Sequence, residues 1–110
     1  MIRIKINRTE SGKIHMFSMS GHANFADHGE DIVCAGASAV SFGTLNAIEV
    51  LTGFVPEVDL GKDGFLRCVF PDNLAEDIQE KVQLLLEAMV VSLKTIEREY
   101  GKHIKITFKK

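Results

Sequence analysis

The sequence predicts an α/β protein of the α+β type: a two-layer sandwich in the order β-β-α-β-β-α-β, with a mostly antiparallel sheet and two helices packed on one face. Three observations predict it. Isoleucines alternate with basic residues near both ends of the chain, the period of a strand. Two long segments, Ile32 to Thr52 and the stretch after Pro71, carry apolar residues at helical rather than strand spacing. Polar, turn-rich stretches join the strands in adjacent pairs, as hairpins do. No repeat, linker or low-complexity stretch divides the 110 residues, so a single domain, 1–110, is expected.

Ile2, Ile4 and Ile6 alternate with Arg3 and Lys5 in the first strand. Asn7 to Gly12 is a turn, and Lys13 to Ser20 returns as the second strand. There the facing is weakly marked. Ile14, Met16 and Ser18 fall on one face, with His15, Phe17 and Met19 on the other. Ile32 to Thr52 is apolar nearly all round and reads as a buried helix. Asp31 is its N-cap and Gly53 its stop. Gly36 and Gly43 each cost a helix about 1 kcal/mol, which close backbone packing would justify.

Pro56 bars that helix from continuing, so Val55 to Leu60 and Phe65 to Phe70 are read as strands around the loop Gly61 to Gly64. Pro71-Asp72-Asn73 opens a second helix. Ile78, Val82, Leu85, Met89, Leu93, Ile96 and Tyr100 form its apolar stripe, and Gly101 ends it. Ile104, Ile106 and Phe108 make the last strand.

Hydrophobic residues are 45% of the chain and charged residues 25%, which excludes disorder and collagen-like structure. Thirteen basic against fifteen acidic residues leave a net charge of −2, so no direct nucleic-acid partner is expected. No apolar run is read as long enough to span a bilayer, and the alternating apolar and basic residues of Met1 to Ile6 do not read as a signal peptide, so no membrane partner is expected. The cytoplasm is the expected compartment, where Cys34 and Cys68 stay reduced. Cys68 alternates with Leu66 and Phe70 as core filler. His15 and His103 are read as strand residues without companion groups.

Chemistry concentrates between the second strand and the first helix. Gly21 to Asp31 holds two glycines, two histidines and three acids in eleven residues. Connections of that length are often functional. With Asp31 as cap, Cys34 is the third helical residue. The positive end of the helix and its unpaired N–H groups favour a thiolate, below a free-thiol pKa of about 8.5. His22 could take the thiol proton, and first-turn N–H groups could receive an oxyanion. The plainer alternatives stay open: Cys34 as a small buried hydrophobe, and Asp31 as a cap alone rather than a group orienting His22. Ser38 lies one turn beyond Cys34 and either touches substrate or bonds back to a helix carbonyl. His22-x5-His28-x5-Cys34 is not a zinc spacing, so no metal and no cofactor are expected.

The run Ser20-Gly21-His22-Ala23, seven residues, then Asp31-Ile32-Val33-Cys34-Ala35-Gly36-Ala37-Ser38-Ala39-Val40-Ser41 closely resembles the bacterial ribosomal-processing cysteine protease family, Prp. The G-H-A and D-I-V-C-A elements are both intact. The likeness continues through Asn46-Ala47 and the second helix, covering essentially the whole chain. The resemblance implies an endopeptidase that removes an N-terminal extension from a ribosomal protein precursor of the large subunit, cutting after paired aromatics. It implies Cys34 as nucleophile, His22 as base and Asp31 as an assisting acid. It also implies Ser38 as a further family position and a homodimer. Gly21 and Gly29 would let the loop open and close. Phe25 and Phe42 are candidate walls of a pocket for the aromatics, and Asp27, Glu30 and Asp31 would steer a basic substrate. The alternative is a non-enzymatic ribosome-associated module in which Cys34 is structural.

Overall fold

Ile2, Ile4 and Ile6 are each no more than 2% exposed, while Arg3 and Lys5 between them face water. β1 (Ile2–Arg8) is thus the half-buried strand its alternation predicts. The computed structural model describes residues 1–27, 31–62 and 65–110. His28, Gly29 and Glu30 of the long loop, and Asp63 and Gly64 of the expected hairpin loop, lie outside the described residues.

β2 (Ile14–Ser20) pairs antiparallel with β1, but not in simple alternation. Asn7 opposes Met16 and Arg8 opposes Ile14, leaving His15 as an extra residue. Such a bulge sets two residues against one and shifts the facing by one position. Ile14, Phe17 and Met19 therefore all reach the core, at 1%, 0% and 5% exposure. The expected grouping of Ile14 with Met16 and Ser18 is corrected by this bulge, because strict period two cannot place Ile14 and Phe17 together.

α1 (Ile32–Thr52), β3 (Glu57–Leu60), β4 (Leu66–Val69), α2 (Glu76–Tyr100) and β5 (Ile104–Lys109) complete the order β-β-α-β-β-α-β. The sheet order is β3-β4-β2-β1-β5. Among the described residues only the β1–β5 pair is parallel, with Ile4 opposite Ile106. One core joins the sheet to both helices. Val33, Ala37, Leu45 and Ile48 of α1 and Val82, Leu86, Met89 and Leu93 of α2 bury with the isoleucines of β1. Each fully buried aliphatic side chain contributes about 1.5–3 kcal/mol.

Three expectations for α1 change. It is buried along one stripe only: Ile32, Phe42, Val50 and Leu51 are exposed. In a two-layer fold one side of each helix has no layer over it. A methyl at Gly36 would lie 3.6 Å from Ile96 of α2, an ordinary van der Waals contact, and one at Gly43 would meet nothing within 4 Å, so close packing requires glycine at neither position. α1 is also, by length and composition alone, apolar enough to cross a bilayer, contrary to the expectation that no run is. Glu49 is its one charged residue, with Ala, Gly and Ser filling the polar-looking positions.

α2 begins later than expected, at Glu76 rather than beside Pro71. Asp72 and Asn73 make no cap; Ala75 is the N-cap, without a side-chain bond. Leu74 reaches the core from the preceding segment, which holds that segment outside the helix. Glu76 and Asp77 place negative charge in the first turn, where the helix dipole favours it.

Candidate active site

Asp31 has the extended backbone of an N-cap, and its carboxylate accepts backbone N–H groups from both the helix start and the loop. Oδ1 receives Val33 at 3.0 Å and Cys34 at 3.1 Å; Oδ2 receives Phe25 at 3.0 Å. Burial pushes this carboxyl up. The N–H groups of Cys34, Phe25, Ala26 and Val33 together outweigh it and hold the carboxyl below the usual range. Both oxygens are thus engaged by the backbone, so one residue starts the helix and ties the long loop to it.

The same bonds narrow the expected oxyanion site. The Val33 and Cys34 N–H groups already donate to Asp31, and Ala35 N–H donates to the Asp31 carbonyl at 3.0 Å. A different donor meets the sulfur. Ala23 N–H, from the loop, donates to Cys34 Sγ at 3.2 Å.

The loop reaches this position through two left-handed residues. Gly21 has φ +83°, and a methyl there would run into the Met1 carbonyl. Asn24 has φ +56°, a region asparagine tolerates better than most residues. Gly21 is therefore required by backbone shape, a different reason from the loop freedom expected of it.

His22, Asp31, Cys34 and Ser38 line one open cavity of about 490 Å³, with Ile2 and Met19 among its apolar lining. Phe25 and Phe42 are not among the lining residues. Phe25 packs edge-on against Tyr100 and His103, with ring centroids 5.4 and 5.3 Å away. Phe42 lies partly exposed on α1.

Sequence reading missed His103. Its Nδ1 lies 2.9 Å from the Ala23 carbonyl, so the companion group it seemed to lack is eighty residues away in the chain. It also missed Ile2 and Met19, which read simply as strand residues. Cys68 is fully buried on β4. Burial pushes its thiol up to about 12, with the Asp59 carboxylate adding to the shift. Both cysteines are free. Among the described residues no group of three His, Cys, Asp or Glu is placed to hold a metal ion.

A thiol that a peptide can reach, in the same cavity as an imidazole, is the equipment of the cysteine proteases. The comparisons give the family. The model for cysteine protease Prp matches residues 1–105, and the chain belongs to that family. A ribosomal processing cysteine protease Prp from Bacillus subtilis (strain 168) is 49% identical over 108 residues, covering 97% of this chain and 96% of that one. One from Staphylococcus aureus (strain Mu50 / ATCC 700699) is 41% identical over 112 residues, covering 99% of this chain and all of its own. A crystal structure of the S. aureus protease with a covalently linked product peptide superposes with a TM-score of 0.90 at 40% identity. It covers 99% of this chain and 100% of that one. Another, with a substrate peptide, gives 0.84 at 39% identity with the same coverage.

Proposed function

We propose that this chain removes the N-terminal extension of a large-subunit ribosomal protein precursor, cutting after paired aromatics, with Cys34 as nucleophile and His22 as general base. The observation that carries the reading is the opening of both side chains into one cavity at a helix start. The S. aureus relatives solved with substrate and product peptides support a peptide as the occupant.

The chemistry is acyl transfer. His22 takes the Cys34 proton, and the thiolate attacks the scissile carbonyl carbon, forming a C–S bond and an oxyanion. Ala23 N–H, beside the attacking sulfur, is a donor for the new oxyanion. Collapse breaks the C–N bond, and His22 returns its proton to the leaving amine. Water then attacks the thioester, giving its proton to His22. The C–S bond breaks, His22 returns that proton to the Cys34 sulfur, and the carboxyl product leaves. Asp31 assists by holding the helix start and the loop together. Ser38 flanks the peptide, and Ile2 and Met19 give an apolar floor for one of its side chains. The work takes place in the cytoplasm, without metal or cofactor, and without direct contact to nucleic acid or membrane.

The chain acts as a homodimer through the exposed side of α1. Ile32, Val50 and Leu51 are 57%, 80% and 65% exposed there, more apolar surface than a helix normally leaves in water. Sedimentation should give twice the chain mass, and Val50→Lys with Leu51→Glu should return the monomer.

The substrate assignment is tested with a synthetic peptide spanning the precursor's extension and the start of its mature chain. Mass spectrometry should show one cut, after the aromatic pair. Replacing both aromatics by alanine should abolish it. Equal cutting of both peptides would contradict the assignment.

A further inference from the structure

The segment that carries His22 is held from three sides. Ala23 N–H donates to the Cys34 sulfur at 3.2 Å, and Phe25 N–H donates to Asp31 Oδ2 at 3.0 Å. The third hold comes from the far end of the chain: His103 Nδ1 meets the Ala23 carbonyl at 2.9 Å. A carbonyl oxygen only accepts, so Nδ1 carries the proton and donates.

We propose that His103 is a positioning residue of the active site, holding the Ala23–Asn24 peptide so that the Ala23 N–H meets the Cys34 sulfur and His22 stays in the cavity. The argument is geometric. Ala23 donates on one side and accepts on the other, so its placement is fixed by the sulfur and by His103 together. Asn24, next in the chain, has φ +56°, a conformation costly to a non-glycine residue unless its surroundings impose it. His103 is the side chain bonded to the peptide that enters this residue. His103 is itself anchored: its N–H donates to the Tyr100 carbonyl at 2.8 Å, and its carbonyl accepts Ile2 N–H at 2.9 Å. Its ring also stands edge-on to Phe25. The end of α2 and the start of β5 thereby brace the loop. Small displacements of a reacting constellation are enough to cost about a hundredfold in rate.

The inference rests on the catalytic reading of Cys34, so two readouts are used. One, alkylation of Cys34 by iodoacetamide, needs no substrate. The other is kcat and KM for cleavage of the precursor peptide. The variants are His103→Ala and His103→Asn, since the asparagine amide nitrogen falls close to the place of Nδ1 and donates in the same way. In His103→Ala, alkylation of Cys34 should slow and kcat should fall about tenfold or more, with KM changed far less. His103→Asn should recover most of both. An unchanged alkylation rate in His103→Ala overturns the proposal. So does a His103→Asn protein as slow as His103→Ala, which would assign the effect to the ring's packing on Phe25. A wild-type chain that alkylates rapidly but leaves the peptide uncut would instead contradict the substrate assignment and leave the alkylation comparison decisive for His103.

Discussion

Ala23 and Cys34 are joined through sulfur: the Ala23 N–H donates to Cys34 Sγ at 3.2 Å. The sulfur that faces the cavity is thereby held by the same loop segment that carries His22.

The two cysteines should therefore react very differently. Cys34 opens to the cavity, whereas Cys68 is fully buried with its thiol at about 12. Iodoacetamide at pH 8, followed by peptide mapping, should label Cys34 rapidly. Cys68 should remain unlabelled until the protein is unfolded. Equal rates would remove the case for an activated thiol.

Asp31 gives a pH signature. Its folded carboxyl lies below the ordinary aspartate value of about 4. Its contribution to stability is then fully present above that value and is lost as pH falls through the lower folded one. Asp31→Asn should lower the urea midpoint at pH 7, and the gap from wild type should narrow as pH falls below the ordinary aspartate value. A gap that widens in acid would contradict the capping geometry. Cleavage at pH 7 should also fall in this variant, because the Oδ2 tether to Phe25 is weakened.

Gly21→Ala should cost about 1–2 kcal/mol from the left-handed backbone alone. The clash with the Met1 carbonyl adds to it. Guanidinium unfolding should show a folded but weaker protein, and cleavage should drop because His22 is the next residue. Wild-type activity in this variant would show that the turn does not set the site.

Stability away from the site should follow burial rather than charge. Phe17 is fully buried, with the Phe70 ring stacked at 6.2 Å. Phe17→Ala should cost about 3–5 kcal/mol in urea unfolding. The Arg8–Glu87 pair is bidentate, but its side chains are 25% and 44% exposed. Arg8→Ala should cost only about 0.2–1 kcal/mol.

The alternation of Ile2, Ile4 and Ile6, the α2 stripe and the Asp31–Gly53 limits of α1 were legible because each depends on neighbours in the chain. The two motifs likewise led to the family that matches the chain. The facing of Ile14 was not legible, because one extra residue at His15 moves it to the other face without changing composition. The Asp31 ambiguity needed coordinates: its carboxylate meets N–H groups of both helix and loop. His103 was invisible for the same reason at longer range, since strand pairing of β5 beside β1 is what carries it to the loop. Phe25 and Phe42 looked like pocket walls by nearness in sequence. Phe25 instead turns to Tyr100 and His103.

The most direct measurement is cleavage of the precursor peptide, followed by mass, for the wild-type chain, Cys34→Ala and His22→Ala. The wild type should cut once. Cys34→Ala should give no product, and His22→Ala should fall by about 10²–10⁴, the usual worth of a general base. Undiminished cutting by either variant would contradict a thiol nucleophile served by that imidazole.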